Sequence, residues 1–218
     1  MIVVHKATRV RDVVSAQRAG ADVVSAQRAG ADAVCLLGGE AAGHPGPDQV
    51  SSLVAARLAA AELEVPWLLG GGVADGAGLA ADIALGADGV LLGTRFAATR
   101  EATAHPAVKQ ALVAAAATDT VVVLGSVGDH ARVLATDRAR ALAAAERAGA
   151  PAGELNDRYG DHLFRTVVAG GDLDAGALAC GQAVGLVTDV PTVAELVAAM
   201  VAGAEEAAAR LDGACSAR

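Results

Sequence analysis

The sequence predicts an α/β chain built on a parallel sheet. Three observations point there. Four short apolar runs, Ile2–His5 (IVVH), Ala33–Leu37 (AVCLL), Val65–Leu69 (VPWLL) and Gly89–Leu92 (GVLL), are too short for helices, and each ends in a glycine or polar cluster. Helical patterns separate them, which is the alternation of βα units. Only Trp67, Phe96, Tyr159 and Phe164 are aromatic, and glycine fills 26 of the 218 positions, so the core must be made of Ala, Val and Leu. Such small side chains favour helices packed closely on a Val/Leu-rich parallel sheet.

The elements follow in order. Residues 50–62 form a helical pattern, with Val50, Leu53, Val54, Leu58 and Ala61 expected on its inner face. Residues 78–85 form the next helix, with Gly86 as its C-cap. After Thr94 the pattern changes. Helices are expected over 107–117, 131–148, 156–169 and 191–211, with a short β-branched run at Thr120–Leu124. In the last helix Val193, Leu196, Val197, Met200 and Val201 are expected to face inward. The reading is a βα part over 1–104 and an α-rich appendage over 105–218. The decamer VVSAQRAGAD occurs at Val13–Asp22 and again at Val23–Asp32. Ten residues turn a helix by about 1000°, so the copies would face about 80° apart and cannot both present one stripe to the core. One copy is expected to feed the strand at Ala33.

Composition excludes several functions. The formal net charge is −8 and no basic patch stands out, which argues against a nucleic-acid partner. No apolar run of about 18 residues is present, so no membrane span is expected. Cys35, Cys180 and Cys215 show no C-x-x-C spacing, and the N-terminal residues lack a signal-peptide pattern; a reducing cytoplasm is expected. No set of His, Cys and carboxylates has metal-ligand spacing.

Three loops follow predicted strands and carry residues suited to chemistry. LGGGVADG (69–76) places glycines between a strand and a helix, where backbone N–H groups can approach an anion without an intervening Cβ. GADGVLLGTRF (86–96) repeats the arrangement, with Gly93 and Thr94 at the strand end and Arg95 next. Two successive turns of this kind are similar to the phosphate cradle of the last two strands of a (β/α)₈ barrel. GGEAAGHPG (38–46) carries His44, whose imidazole can exchange a proton near neutral pH. Lys6, at the end of the first strand, is a candidate anion or flavin contact.

These pieces in this order resemble the nitronate monooxygenase family, formerly 2-nitropropane dioxygenases. The matching segments are VVHKATRVRD, GGEAAGHPG, GGVADGAGLAADIALGADGVLLGTRF, AHPAVKQAL, TDTVVV and GDLDAGALACGQAVGLVTDVP. The resemblance implies part of an FMN-dependent (β/α)₈ barrel, about four strands, that oxidises alkyl nitronates with O₂. By the same resemblance His44 matches the active-site base toward a nitroalkane or the hydrogen-bonding partner of the nitronate. Lys6 matches a flavin-contacting lysine. Ala42 and Gly43 match backbone positions near the flavin. Gly71 and Gly72, with Leu91, Leu92, Gly93 and Thr94, match phosphate-binding loops, and Gln182 matches a segment close to the active site.

Three departures accompany the match. Leu37 stands where the family usually has Gln or Asp, Ala179 where a Ser is frequent, and the family's first strands have no counterpart before Met1. A closed barrel needs eight strands. Two such halves are expected to associate through their open edges as a homodimer. Two other readings stay open: an FMN-dependent enoyl-acyl-carrier-protein-type reductase, and a truncated homologue that acts only through association.

Overall fold

The strands β1 (Val4–Ala7), β2 (Ala33–Leu37), β3 (Trp67–Gly70) and β4 (Gly89–Leu91) form one sheet in the order β1-β2-β3-β4. All three pairings are parallel. The helices between them are α1 (Val23–Arg28), α2 (Ser52–Ala60) and α3 (Gly76–Leu85). Sequential, parallel, neighbouring strands with helical crossovers are the repeating pattern of a (β/α)₈ barrel, here as four strands joined by three crossovers. The computed structural model describes residues 2–10 and 23–216.

The second decamer copy supplies α1, as the sequence predicts for one of the two; the first, 13–22, lies outside the described residues. Val24 and Ala26 are buried. Gln27 Oε1 accepts hydrogen bonds from the amides of Glu64 (2.7 Å) and Val65 (3.3 Å). Asp32 Oδ2 accepts from Val3 N at 2.7 Å and ties the start of β2 to the chain entering β1.

The face of α2 differs from the expected one. Leu53, Val54 and Leu58 are exposed, and Ala55, Ala56 and Ala59 are buried against the sheet. The alanine stripe lets the helix approach the strands closely, and the periodicity of the larger residues marks the opposite face. In α9 (Val193–Ser216), Leu196 and Met200 are buried as expected, but Val197 and Val201 are exposed.

Contacts divide the chain into two compact units. One contains 1–40, 48–92 and 194–218, and the other 41–47 and 93–193. The division runs elsewhere than the expected 104/105 boundary, because α9 packs on α3 and belongs to the unit that holds the sheet. A Cβ on Gly76, at the first turn of α3, would lie 2.4 Å from Met200 O and 2.5 Å from Ala204 N. Only a residue without a side chain allows this crossing of backbones. The core of this unit gathers Val34, Leu36, Trp67 and Leu69 with alanines from the helices.

The other unit holds α4 (Thr94–Ala97), α5 (Pro106–Ala114), α6 (Asp137–Arg147), α7 (Ala152–Tyr159) and α8 (Phe164–Val168). It is not wholly helical. The strands β5 (Thr120–Val123) and β6 (Ala131–Leu134) form an antiparallel pair. The expected helix over 131–148 therefore begins only at Asp137, where Thr136 caps it by accepting from Ala139 N at 3.2 Å. Residues 131–134 pair with the β-branched run instead, and all four are buried. The expected helix over 156–169 is broken at Gly160, which takes φ +68°.

Candidate functional site

Because the four strands are parallel, Ala7, Leu37, Gly70 and Leu91 end on one edge of the sheet. Lys6 sits in β1 opposite Cys35 and is exposed. After β3 the chain runs through Gly71 (φ +104°) and Gly72 (φ +82°), two successive left-handed residues. That succession can turn backbone N–H groups toward an anion, which L residues with a side chain accommodate poorly. The N-terminus of α3 is already used. Asp75 caps it, its Oδ1 accepting from Gly78 N at 2.9 Å, so a carboxylate sits at the positive end of this helix. The helix end is therefore less able to hold an anion than the glycine turn before it.

Two carboxylates of the same unit bear on this edge, and Glu40 lies against the glycine turn, 3.8 Å from where a Cβ on Gly72 would stand. Glu40 Oε2 accepts from Ser52 N at 3.0 Å and caps the start of α2. Asp82 in α3 is 5% exposed, and its Oδ2 has no hydrogen-bond partner among the described residues. Burial, and then the charge of Glu40, push its carboxyl up from 3.8 to about 6. Sequence reading missed Asp82; a lone acid in an otherwise apolar helix (GLAADIAL) was the available signal. Leu37 is buried, and a Cβ on Gly70 would lie 2.6 Å from its Cδ2. It therefore fills the strand edge with hydrocarbon where a polar side chain would offer a hydrogen bond.

The remaining predicted residues belong to the other unit. Gly43 pairs with Arg132 of β6, N to O at 3.0 Å and O to N at 2.6 Å. This pairing carries Ala42, Gly43 and His44 beside the β5–β6 pair. His44 Nε2 lies 3.1 Å from Asp129 Oδ1, with both side chains more than half exposed. A donor at Nε2 leaves Nδ1 as the nitrogen able to take a proton. Asp129 is a second residue that sequence reading missed. It lies 85 positions along the chain from His44, and only the pairing of Gly43 with β6 reveals the contact.

Thr94 and Gln182 come together in this unit. Thr94 is buried, and its Oγ1 accepts from Gly181 N at 3.0 Å, placing the start of α4 against the turn that carries exposed Gln182. Gly93 precedes α4 as its N-cap without a side-chain cap. Leu91 is exposed and Leu92 partly buried at the end of the sheet unit. Arg95 is the partner in an ion pair. It is buried and bonded to Asp189, through the carboxylate and through the backbone O at 3.1 Å.

Two of the three cysteines, Cys35 and Cys180, are buried. Burial pushes the Cys35 thiol up to about 11 despite the opposing Lys6, and the Cys180 thiol up to about 12 despite Arg132. Among the described residues no group of His, Cys, Asp and Glu could hold a metal ion. None of their helices is long and apolar enough to cross a membrane. A cavity of about 330 Å³ lies between the residues after β1 (Thr8, Arg9, Val10) and α2, and none of the predicted site residues lines it.

Comparison with known proteins agrees with this architecture. The sequence model of the nitronate monooxygenase family matches residues 3–203. An indene-carboxyl-CoA dehydrogenase of Rhodococcus jostii is 34% identical over 207 residues, covering 78% of this chain and 58% of that protein. A nitronate monooxygenase of Paraburkholderia phytofirmans is 36% identical, covering 73% of this chain and 45% of that protein. Among solved structures, FabK from Thermotoga maritima superposes with a TM-score of 0.81 at 36% identity, over 86% of this chain and 59% of that one. A nitroalkane oxidase from Streptomyces ansochromogenes gives 0.77 at 26% identity, over 96% and 59%. The chain thus spans about half the length of the curated relatives it matches. Its four-stranded sheet is the corresponding part of their TIM barrel, and the chain belongs to the nitronate monooxygenase family of oxidoreductases.

Proposed function

We propose that the chain binds the phosphate end of FMN and takes part in the oxidation of alkyl nitronates by O₂. The observation that carries the reading is the pair of successive left-handed glycines, Gly71 and Gly72, at the strand edge that also ends β1 beside exposed Lys6. A phosphate fits this turn, because no Cβ stands between the backbone and the anion. Lys6 supplies the countercharge. Leu91, Leu92, Gly93 and Thr94 continue the chain from the next strand, and Ala42 and Gly43 are assigned to the flavin by the family resemblance. FMN, when bound, supplies the redox chemistry. His44 handles the proton of a nitroalkane or fixes the nitronate oxygens, and Asp129 holds the imidazole so that Nδ1 accepts. Gln182 is assigned to the substrate side.

The test is oxygen uptake with a nitronate in FMN-saturated protein. The expected result is turnover that falls at least about tenfold in His44→Ala. Turnover absent from the parent, or equal in the variant, would overturn the reading. The likeness to FabK, an enoyl-acyl-carrier-protein reductase, favours a second reading on the same scaffold. That reading predicts rapid bleaching of bound flavin by NADH or NADPH without any nitronate.

A further inference from the structure

The turn that carries Asp129 is held from outside itself. β5 ends at Val123 and β6 begins at Ala131, so residues 124–130 connect the two strands. Ser126, Val127, Gly128 and Asp129 are exposed, so packing does little to fix them. Leu124 opens the turn. It is buried and takes φ +63°, a left-handed conformation that residues other than glycine disfavour. Its carbonyl accepts from Val127 N at 3.3 Å and from Asp129 N at 3.0 Å, so the backbone of Asp129 follows that of Leu124.

Glu146 supplies the hold. Its Oε2 accepts from Leu124 N at 2.9 Å, and its Oε1 from Ser126 N at 2.7 Å. One carboxylate thus gives both oxygens to amides of the turn, and hydrogen bonds to an ionised group are about twice as strong as neutral ones. Partial burial raises this carboxyl, but the bonds from Ser126 and Leu124 and the nearby His130 lower it more, so Glu146 stays ionised near neutral pH. Glu146 stands in α6, whose Leu142 and Ala143 are buried in one cluster with Val123, Leu124 and Ala131. The anchor is therefore a helix packed on the two strands. His130 closes on the turn as well: a Cβ on Gly125 would lie 3.2 Å from its ring and 3.8 Å from Glu146 Oε1.

His44 has a separate support. Gly43 pairs with Arg132 of β6 and fixes the backbone beside it, and His44 Nε2 lies 3.1 Å from Asp129 Oδ1. Both side chains are more than half exposed, so their meeting depends on where the two backbones are held. We infer that Glu146 is a positioning residue for His44, acting through the turn at 124–129 and the carboxylate of Asp129. This role rests on the proposed chemistry of His44 and adds the group that keeps its partner in place.

The test reads the imidazole directly, by the ring carbon–proton signals of His44 in nuclear magnetic resonance of the full chain at one fixed pH. His44→Gln identifies the signals. Asp129→Asn is expected to move them, and Glu146→Ala to move them along the line from the parent toward Asp129→Asn. Glu146→Gln keeps one accepting oxygen and is expected to move them part of that way. In the double variant Asp129→Asn/Glu146→Ala they are expected to coincide with those of Asp129→Asn, because an effect relayed through Asp129 cannot add once its charge is gone. A group that only stabilised the fold would leave the signals where they are. Signals unmoved by the Glu146 variants, or by Asp129→Asn, would overturn the inference. So would a double variant shifted beyond Asp129→Asn, since Glu146 would then reach His44 by another route. If Glu146→Ala loses the parent's far-ultraviolet circular dichroism, Glu146→Gln takes its place in the double variant. Loss of the fold in both would overturn the inference too, leaving Glu146 a group of general stability. The readout uses neither flavin chemistry nor turnover. Failure with nitronates leaves the placement of His44 standing, and failure of the spectra leaves the nitronate reading standing without Glu146.

Discussion

Asp82→Asn isolates the cost of one buried charge. Asp82 is 5% exposed, its Oδ2 has no partner among the described residues, and burial with Glu40 raises its carboxyl from 3.8 to about 6. A raised acid binds its proton more tightly in the folded chain than in the unfolded one. Stability is therefore fully present below about pH 4 and is lost as pH rises through about 6. Two units correspond to about 3 kcal/mol at most, and partial solvent relaxation reduces this to roughly 1–3 kcal/mol. Asparagine keeps the shape and the unmet polar atoms but carries no charge. Urea unfolding of both proteins should give Asp82→Asn an advantage of roughly 1–3 kcal/mol near pH 8, shrinking toward zero near pH 4. A gap of the same size at both pH values would refute the reasoning, because it would reflect shape or hydrogen bonding and not ionisation.

Four further outcomes are expected. Gly76→Ala should lower stability by roughly 2–4 kcal/mol in the same urea assay, because its Cβ would meet the backbone of α9 at 2.4 Å. Glu146 is raised by its partial burial but lowered more by hydrogen bonds from the Ser126 and Leu124 amides, so its carboxyl lies below the ordinary 4.5. The stability it contributes is present above 4.5 and lost as pH falls through the lower folded value, so the deficit of Glu146→Gln should narrow in acid. Native protein treated with a thiol reagent near pH 8 should show reaction at exposed Cys215 alone, with Cys35 and Cys180 following only in denaturant. Asp129→Asn should shift the pH profile of nitronate turnover while leaving flavin binding unchanged, and an unaltered profile would remove Asp129 from any role in positioning His44.

Much of the fold was legible in the sequence because a buried parallel strand has to be short, apolar and closed by a turn. AVCLL and VPWLL meet those demands locally, and they become β2 and, from Trp67, β3. The glycine turn after β3 was legible for the same reason, since its conformation depends on residues adjacent in the chain. The inner face of α2 was not legible. Periodicity finds a stripe but not its direction, and only the approach to the sheet shows that alanine, and not leucine, faces in. The strand at Ala131–Leu134 was read as helix because its sequence favours one, and its pairing with Thr120–Val123 overrides that preference.

The sequence by itself determined the family, the positions of the strands and the glycine turn after β3, because these depend on local pattern. The tertiary structure decided which side chains are available. It closed Arg95 with Asp189 and brought Asp129 to His44 across 85 positions. It also buried Asp82 and left its Oδ2 without a partner among the described residues. The physical reason is common to all three. Burial and ion pairing are set by residues distant in the chain, and no local periodicity encodes which of those will become neighbours.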